Sequence, residues 1–269
     1  MNIKLMTWNT QLYEYGNIVS KTKPVKPVDD NKCNEILSVI KKFIDESENA
    51  IAVLQEIPLR SNITNSEHII FTLLCGAFPE KDYTILYNIN EKVRNQIKTT
   101  VVISKKNFIK KDMEGINSSN DDYCNCFVSF IAEDLKLLAV HQSLRSGGSI
   151  NDKINDKFGR IPTYSPDIIL GDFNAGDYEK QNKDEKFEEN RNKYKALVEG
   201  KVLVEGKVLV GVPYVDACKG EITTTYNTPI DHILIKNETK YQYENVNIDR
   251  SNDSSDHYPV YCDVIFTKQ

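Results

Sequence analysis

Short apolar runs that adjoin a chemically active polar residue recur along this chain of 269 residues, and they constrain its fold more than any other feature. The segment Ile169–Asn174 (ILGDFN) is apolar at its start and polar at its end, whereas Ser254–Val260 (SSDHYPV) has the reverse order. Apolar runs of this length are typical of buried strands. If the second segment is extended, its adjacent Asp256 and His257 point to opposite sides of the strand.

Four further apolar runs also adjoin a chemically active polar residue. Ile3–Trp8 is followed by Asn9, Ile51–Leu54 by Gln55 and Glu56, and Leu137–Val140 by His141, whereas Ile230–Ile235 carries Asp231 near its start. A strand that runs up a sheet ends at its top edge and one that runs down begins there, so all these polar residues can share one edge of mixed sheets. Asp, Glu, Asn and His side chains in one cluster suit a hard divalent cation and a general base.

The order of these segments resembles that of the endonuclease/exonuclease/phosphatase superfamily, the DNase I-like phosphodiesterases. The matching pieces are Trp8-Asn9, Gln55-Glu56, His141, Gly171-Asp172-Phe173-Asn174, Ile230-Asp231-His232 and Ser255-Asp256-His257. Each piece alone is weak, but together they extend over almost the whole chain. The resemblance implies a four-layer α/β/β/α sandwich, in which two packed mixed β-sheets are flanked by helices. We expect one domain, 1–269, because no proline- or glycine-rich linker divides the chain.

The resemblance implies a divalent-metal site built from Glu56, Asn9 and Asp256. Glu56 is the principal ligand, Asn9 offers a neutral oxygen to the same ion, and Asp256 completes the set. Few carboxylates and several waters suit Mg²⁺, and Mn²⁺ also fits.

The resemblance also implies the catalytic groups. Asp172 orients or activates the attacking water, Asn174 holds a phosphate oxygen, and His141 donates a hydrogen bond to a phosphate oxygen. Asp231 accepts a hydrogen bond from one ring nitrogen of His257, which fixes the tautomer and supports the imidazolium form. His257 then either deprotonates water or stabilises the charged transition state, and the sequence leaves both roles open.

These groups predict a Mg²⁺-dependent phosphoester hydrolase, most of all a phosphodiesterase or nuclease that uses in-line attack of water. The alternatives are a small-molecule or lipid-headgroup phosphatase of the same superfamily and a non-catalytic binding module that retains the fold. The formal net charge is −5 and no basic stripe stands out, so tight non-specific DNA binding is not expected. A bound cation would supply positive charge locally. The substrate is a nucleic acid or a small phosphorylated molecule, and we expect a monomer.

The remaining features of the sequence are ordinary. The six cysteines form no C-x-x-C pair, so we expect reduced thiols in or near the core. The chain shows no signal peptide and no membrane span, which makes a cytoplasmic protein the default expectation. His68 and His232 are expected on the surface and in a structural role, respectively. Three arginines fall in loops near the strand ends, where we expect solvated side chains: Arg94, Arg145 and Arg160.

The apolar spacing also predicts secondary structure along the rest of the chain. Helices are predicted over Asn34–Glu48, Asn65–Phe78 and Asp184–Leu197. Further strands are predicted over Tyr83–Tyr87, Thr99–Ser104, Tyr123–Ile131, Ile222–Tyr226, Tyr241–Ile248 and Tyr258–Phe266. A tandem repeat at 198–209, with a Glu-Gly pair between apolar runs, predicts a hairpin or a recent insertion.

Overall fold

The computed structural model describes residues 1–18, 22–89, 97–113, 126–142, 161, 164–175, 185–204 and 207–267. Its strands, in chain order, are β1 Asn2–Asn9, β2 Ala50–Pro58, β3 Tyr83–Tyr87, β4 Lys98–Lys105, β5 Ile109–Lys111, β6 Phe127–Ala132, β7 Leu135–His141, β8 Ile168–Asp172, β9 Lys201–Val204, β10 Lys207–Val210, β11 Tyr214–Asp216, β12 Asp231–Lys236, β13 Tyr241–Ile248 and β14 Val260–Phe266.

The strands form two six-stranded sheets and a separate hairpin. The first sheet has the order β13-β14-β1-β2-β4-β3, and the second has the order β11-β12-β8-β7-β6-β5. Each sheet contains one parallel pair, β1 with β2 and β7 with β8, among antiparallel neighbours. Both sheets are therefore mixed, as the positions of the polar residues at the strand ends require.

In the part of the chain that the structure describes, three α-helices accompany the sheets: α1 Asp30–Asp45, α2 Ile69–Ala77 and α3 Glu185–Val198. Helix α1 begins where the side chain of Asp29 accepts a hydrogen bond of 3.1 Å from the backbone N–H of Lys32, which satisfies one of its free amides. It buries a face that includes Ile36, Leu37 and Ile40. The helical spacing in the sequence predicted each helix, with ends that differ by a few residues.

Three hydrophobic clusters show how the layers are stacked. The central cluster lies between the sheets and joins Leu5 and Val53 of the first sheet to Leu137 and Ile233 of the second. A second cluster packs α1 and α2 against the outer face of the first sheet. The third packs Leu197 of α3 against the outer face of the second sheet. This order of helix, sheet, sheet and helix confirms the predicted four-layer α/β/β/α sandwich.

Several local predictions need correction. The strand predicted over Ile222–Tyr226 is absent: this described segment contains one isolated bridge, from Thr224 to His257, and a turn held by hydrogen bonds between Thr224 and Thr228. The short strands β5 and β11 were not predicted. The prediction that His68 lies on the surface was wrong, because its side chain is buried and its Nδ1 accepts the N–H of Ile70 at the start of α2.

Other local predictions are confirmed. The tandem repeat forms the antiparallel hairpin β9–β10. The cysteines that the structure describes are free, as expected, and three of them are buried: Cys33, Cys218 and Cys262. Cys75 is exposed, in contrast to the expected position in or near the core. Cys124 lies outside the described residues, as do Arg94, Arg145 and Arg160. Within the described ranges, each helix is too short or too polar to cross a membrane.

Candidate active site

Strand register alone brings the polar strand ends together. In the second sheet, His141 pairs with Asp172 across the parallel strands β7 and β8, and Asp172 pairs with Asp231 across β8 and β12. In the first sheet, Asn9 pairs with Gln55, the residue before Glu56. The same edge of each sheet therefore carries the residues that the sequence singled out.

Glu56 occupies a distorted position in its strand. The pairing of β2 with β4 shifts by one residue between Leu54 and Ile57, so Glu56 lies in a β-bulge. Its φ of 60° is left-handed, a conformation that costs a non-glycine residue roughly 1–3 kcal/mol. Bulges re-aim side chains beside functional sites. The distortion therefore marks Glu56 as a residue whose direction the fold sets at an energetic cost.

Gly171 allows the two parallel strands of the second sheet to approach each other. Its φ is 146°, and a Cβ atom at this position would lie 1.9 Å from the carbonyl oxygen of Val140. One residue later, an Asx turn forms, in which Asp172 Oδ1 accepts the N–H of Asn174 at 2.8 Å. The side-chain amide of Asn174 donates to the carbonyl of Gln142 at 2.6 Å. The Gly-Asp-Phe-Asn motif is thus held by its own Asx turn and by Gln142, the residue that follows β7.

Contacts across the gap between the sheets close the site. Asn9 Nδ2 donates to Asp172 Oδ2 at 3.0 Å. His141 Nε2 lies 3.4 Å from Glu56 Oε1 and 3.8 Å from Asp172 Oδ2. These contacts connect the Glu56 carboxylate of the first sheet to Asp172 of the second, although the residues are far apart in sequence.

His257 joins the same group from the segment before β14. Its Nδ1 lies 2.9 Å from Asp231 Oδ2, as predicted, and Trp8 Nε1 donates to its carbonyl oxygen at 2.9 Å. Asp256 Oδ1 lies 3.8 Å from His257 Nε2, so the two adjacent side chains share one side. They were expected to point apart only if this segment were extended, and it bends instead of forming a strand.

Burial and neighbouring charges set the protonation states in opposite directions. Burial alone would lower the pKa of His257, but the charge and hydrogen bond of Asp231 raise it to about 10. Burial and the charge of Asp231 raise the pKa of Asp172 to about 7. Burial, with the charges of Lys98 and His257, lowers the pKa of His141 well below its usual value. At neutral pH the site thus pairs a cationic His257 with a neutral His141.

The oxygen-rich part of the site fits a hard divalent cation. Glu56 Oε1 and Asp172 Oδ2 lie 3.4 Å and 3.8 Å from His141 Nε2, and Asn9 Nδ2 donates to the same Asp172 oxygen. Asp256 Oδ1 is buried and accepts no hydrogen bond from the residues that the structure describes. Ligand atoms of Asp172, Asp231 and His257 also lie within 4.8 Å of one another. Buried carboxylates without enough partners are costly unless a cation compensates them.

The sequence did not reveal Lys98, the first residue of β4. Its ammonium contacts Glu56 Oε1. Lysine at a strand start carries no local signal, and only the pairing of β2 with β4, which places Lys98 opposite Pro58, brings it to the site.

The sequence also missed Asp216 and Tyr194, the partners of His232. His232 donates from Nδ1 to Asp216 Oδ2 at 3.0 Å and from Nε2 to the carbonyl of Ala175 at 2.7 Å, so both ring nitrogens face acceptors. Tyr194 donates to the same Asp216 oxygen and stacks on the imidazole at 4.4 Å. Since both nitrogens need protons, His232 is a buried imidazolium, paired with Asp216. Its structural role was predicted, and its partners anchor the segment that follows Asn174.

Comparison with solved structures identifies the fold. The endonuclease domain of TRAS1, a telomere-specific non-LTR retrotransposon, aligns over 100% of both chains with a TM-score of 0.58 and 11% identity. An endonuclease/exonuclease/phosphatase protein from Bacteroides vulgatus aligns over 99% of this chain and 100% of that one, with a TM-score of 0.59 and 15% identity. The chain therefore has the same DNase I-like fold as these solved structures.

A further DNase I-like structure, the AP endonuclease LMAP from Leishmania major, has a TM-score of 0.59 and 12% identity over 99% of this chain and 88% of that one. No family profile and no curated protein sequence matches the chain. At such identities the DNase I-like likeness establishes the architecture, and the chemistry has to be argued from the side chains.

Proposed function

We propose that this protein is a divalent-metal-dependent phosphoester hydrolase of the phosphodiesterase or nuclease type. The proposal rests on one observation: an imidazole–carboxylate pair and a second polar group that contains the Glu56 carboxylate lie together at one edge of the sandwich. The His257–Asp231 pair lies on one side of Asp172, and the Glu56, Asn9 and His141 group lies on the other. A phosphate bound between them would meet a cation and a proton donor together.

Mg²⁺, or Mn²⁺ in its place, would be held by Glu56 and Asn9, with Asp256 or Asp172 completing the set. When bound, the ion would polarise a phosphoryl oxygen and neutralise charge that develops on it.

Asp172 is the group placed to orient water. A carboxylate with a pKa of about 7 can accept a proton near neutral pH. Asn9 Nδ2 and the N–H of Asn174 donate to its two oxygens and fix the plane of the carboxylate. Asn174 retains its amide oxygen for a water or a ligand, because its nitrogen already donates to Gln142.

His257 stabilises charge in this proposal. Of the two roles left open by the sequence, its raised pKa favours the protonated form, which binds a negative phosphoryl oxygen or donates to the leaving group. Asp231 holds Nδ1, so that Nε2 is the nitrogen presented to the substrate. His141, kept neutral by burial, would donate one further hydrogen bond to a phosphoryl oxygen.

The nuclease reading has support from the rim of the site and from related structures. The side chain of Tyr226 is 62% exposed, and the charge of Asp256 beside it raises its pKa. An exposed aromatic ring beside a phosphate site is a surface on which a nucleobase can stack. The AP endonuclease and the TRAS1 domain are nucleases by name. A small-molecule or lipid-headgroup phosphatase is the alternative within the same fold.

Hydrolysis with and without metal tests the proposal. Purified protein is assayed in Mg²⁺, in Mn²⁺ and in EDTA against plasmid DNA, single-stranded oligonucleotides, RNA, 5′-tyrosyl DNA and phosphoinositides. We expect metal-dependent cleavage of a phosphodiester. His257→Ala is expected to lower turnover by at least about 10²-fold with the fold intact. Near-normal turnover of that variant would contradict the assignment.

Glu56→Gln tests the metal ligand separately. The substitution keeps the shape of the side chain and removes its charge, so calorimetry should show much weaker binding of Mg²⁺. Glu244→Gln, on the exposed face of β13, is the matched control and should bind Mg²⁺ as the wild type does.

A further inference from the structure

Lys98 lies where the metal and the substrate would meet. Its side chain is 31% exposed, whereas the Glu56 carboxylate that it contacts is only 10% exposed. Its ammonium also lies 4.1 Å from the centre of the Tyr13 ring, a cation–π contact. The Glu56 oxygen that it contacts also lies 3.4 Å from His141 Nε2. The ammonium therefore stands at the mouth of the site, among Glu56, Tyr13 and His141.

The contact with Glu56 conflicts with metal binding. A divalent cation needs the same carboxylate oxygen, and two cations close together repel each other strongly where little water separates them. The lysine stem is flexible, with four carbons between the backbone and a compact charge. The partial exposure of Lys98 leaves its ammonium room to move outward, toward the space that a bound phosphate would occupy.

We propose that Lys98 is an exchangeable counter-ion, which neutralises Glu56 in the metal-free protein and binds a substrate phosphoryl oxygen once a divalent cation occupies Glu56. The proposal rests on the proposed phosphoester hydrolase function. It assigns Lys98 to substrate binding, beyond the residues that the sequence motifs contain. It also explains how the carboxylate is stabilised at the site before a metal arrives.

This exchange predicts effects of opposite sign on two ligands. Lys98→Met removes the competitor for Glu56, so Mg²⁺ should bind about two- to fivefold more tightly, the range expected for loss of an ion pair. The same change removes a charged donor, so the KM for the phosphoester should rise about tenfold or more, with a smaller change in kcat. Lys98→Arg retains the charge and should partly restore the KM.

Calorimetric titration of the full chain, stripped of metal, measures the first effect without turnover. A second titration, of inorganic phosphate into the Mg²⁺-loaded protein, measures the second and should show weaker binding to Lys98→Met. Lys105→Met is the matched control, because Lys105 makes a similar contact with Asp45 at the other end of β4. It should leave both affinities unchanged.

Each result of the two titrations either supports or overturns the proposed exchange of Lys98. Tighter Mg²⁺ binding with weaker phosphate binding in Lys98→Met supports the exchange. Unchanged affinities, or weaker Mg²⁺ binding, would overturn it, since Lys98 would then be inert or would only position Glu56. If the wild type hydrolyses no phosphoester, the proposed function fails, and the two titrations still decide the role of Lys98.

Discussion

Replacing Asp231 by asparagine isolates the electrostatic role of one buried carboxylate. The carboxylate is fully buried and lies 2.9 Å from His257 Nδ1. Asparagine keeps the size and shape of the side chain but removes the charge. Because the charge of Asp231 opposes the effect of burial, its loss should lower the pKa of His257 from about 10. A neutral imidazole would then face the substrate, in place of the imidazolium that the proposed mechanism needs.

The expected cost follows from the proton-transfer and charge-binding roles of His257. Loss of such a group typically lowers the rate by about 10²–10⁴-fold, which corresponds to roughly 3–5 kcal/mol in the activation free energy. We expect Asp231→Asn to lower kcat within this range at neutral pH and saturating Mg²⁺, with little change in KM. Asp263→Asn, which removes a half-buried carboxylate on β14 that accepts a hydrogen bond from Asn245, should have no effect.

A double-mutant cycle distinguishes this pairing from two independent effects. If Asp231 acts through His257, Asp231→Asn should cost little further activity in a His257→Gln background, because residues that act as a unit are not additive. Circular dichroism and urea unfolding of each variant check that the fold is retained. Multiplicative losses in the double variant would refute the reasoning, as would a kcat of Asp231→Asn within about threefold of the wild type.

Further predictions concern pH and packing. Because the Asp172 carboxyl has a pKa of about 7, Mg²⁺ should bind more tightly as pH rises from about 6 to about 8, with proton release measurable by calorimetry in buffers of different ionisation enthalpy. A binding constant that does not change with pH would exclude this. Hydrogen bonding and the charge of Asp216 outweigh burial and raise the pKa of His232, so its stabilisation is complete below its unfolded pKa of 6.5 and is lost as pH rises through the folded value. Urea unfolding of His232→Gln should show a smaller fall in stability above pH 6.5 than the wild type, in which His257, with its raised pKa, contributes the rest of the fall, and an identical fall in both would disprove the assignment. Gly171→Ala should lower the free energy of unfolding by more than about 4 kcal/mol, because the added Cβ would meet the Val140 carbonyl. A melting temperature near that of the wild type would show that Gly171 is not needed for the close approach of β7 and β8.

Much of the fold could be predicted because local patterns carry it. The helical spacing of Ile36, Leu37 and Ile40 predicted α1, and the alternating or continuous apolar runs predicted most strands of both sheets. The strand prediction for Ile222–Tyr226 was wrong. Its apolar and β-branched residues suit a strand, but hydrogen bonds between Thr224 and Thr228 hold a turn instead. Side-chain hydrogen bonds of this kind compete with strand pairing and leave no periodic signal.

The sequence was enough to predict most residues of the candidate site but only some of the contacts between them. Placing polar residues at strand ends was enough to expect Asp172, Asp231 and His257 together. No local pattern in the sequence points to Lys98 or Asp216, since both reach their partners through strand pairing and packing across the sandwich.

The sequence by itself determined which segments become strands and which chemical groups stand at their ends, because both follow from the order of neighbouring residues. Only the tertiary structure decided the bulge that turns Glu56, the bend that brings Asp256 beside His257, and the contact of Lys98 with Glu56. The physical reason is distance along the chain. Asn9 and Asp172 are 163 residues apart, and Trp8 and His257 are 249 apart, so their contacts depend on how two sheets pack.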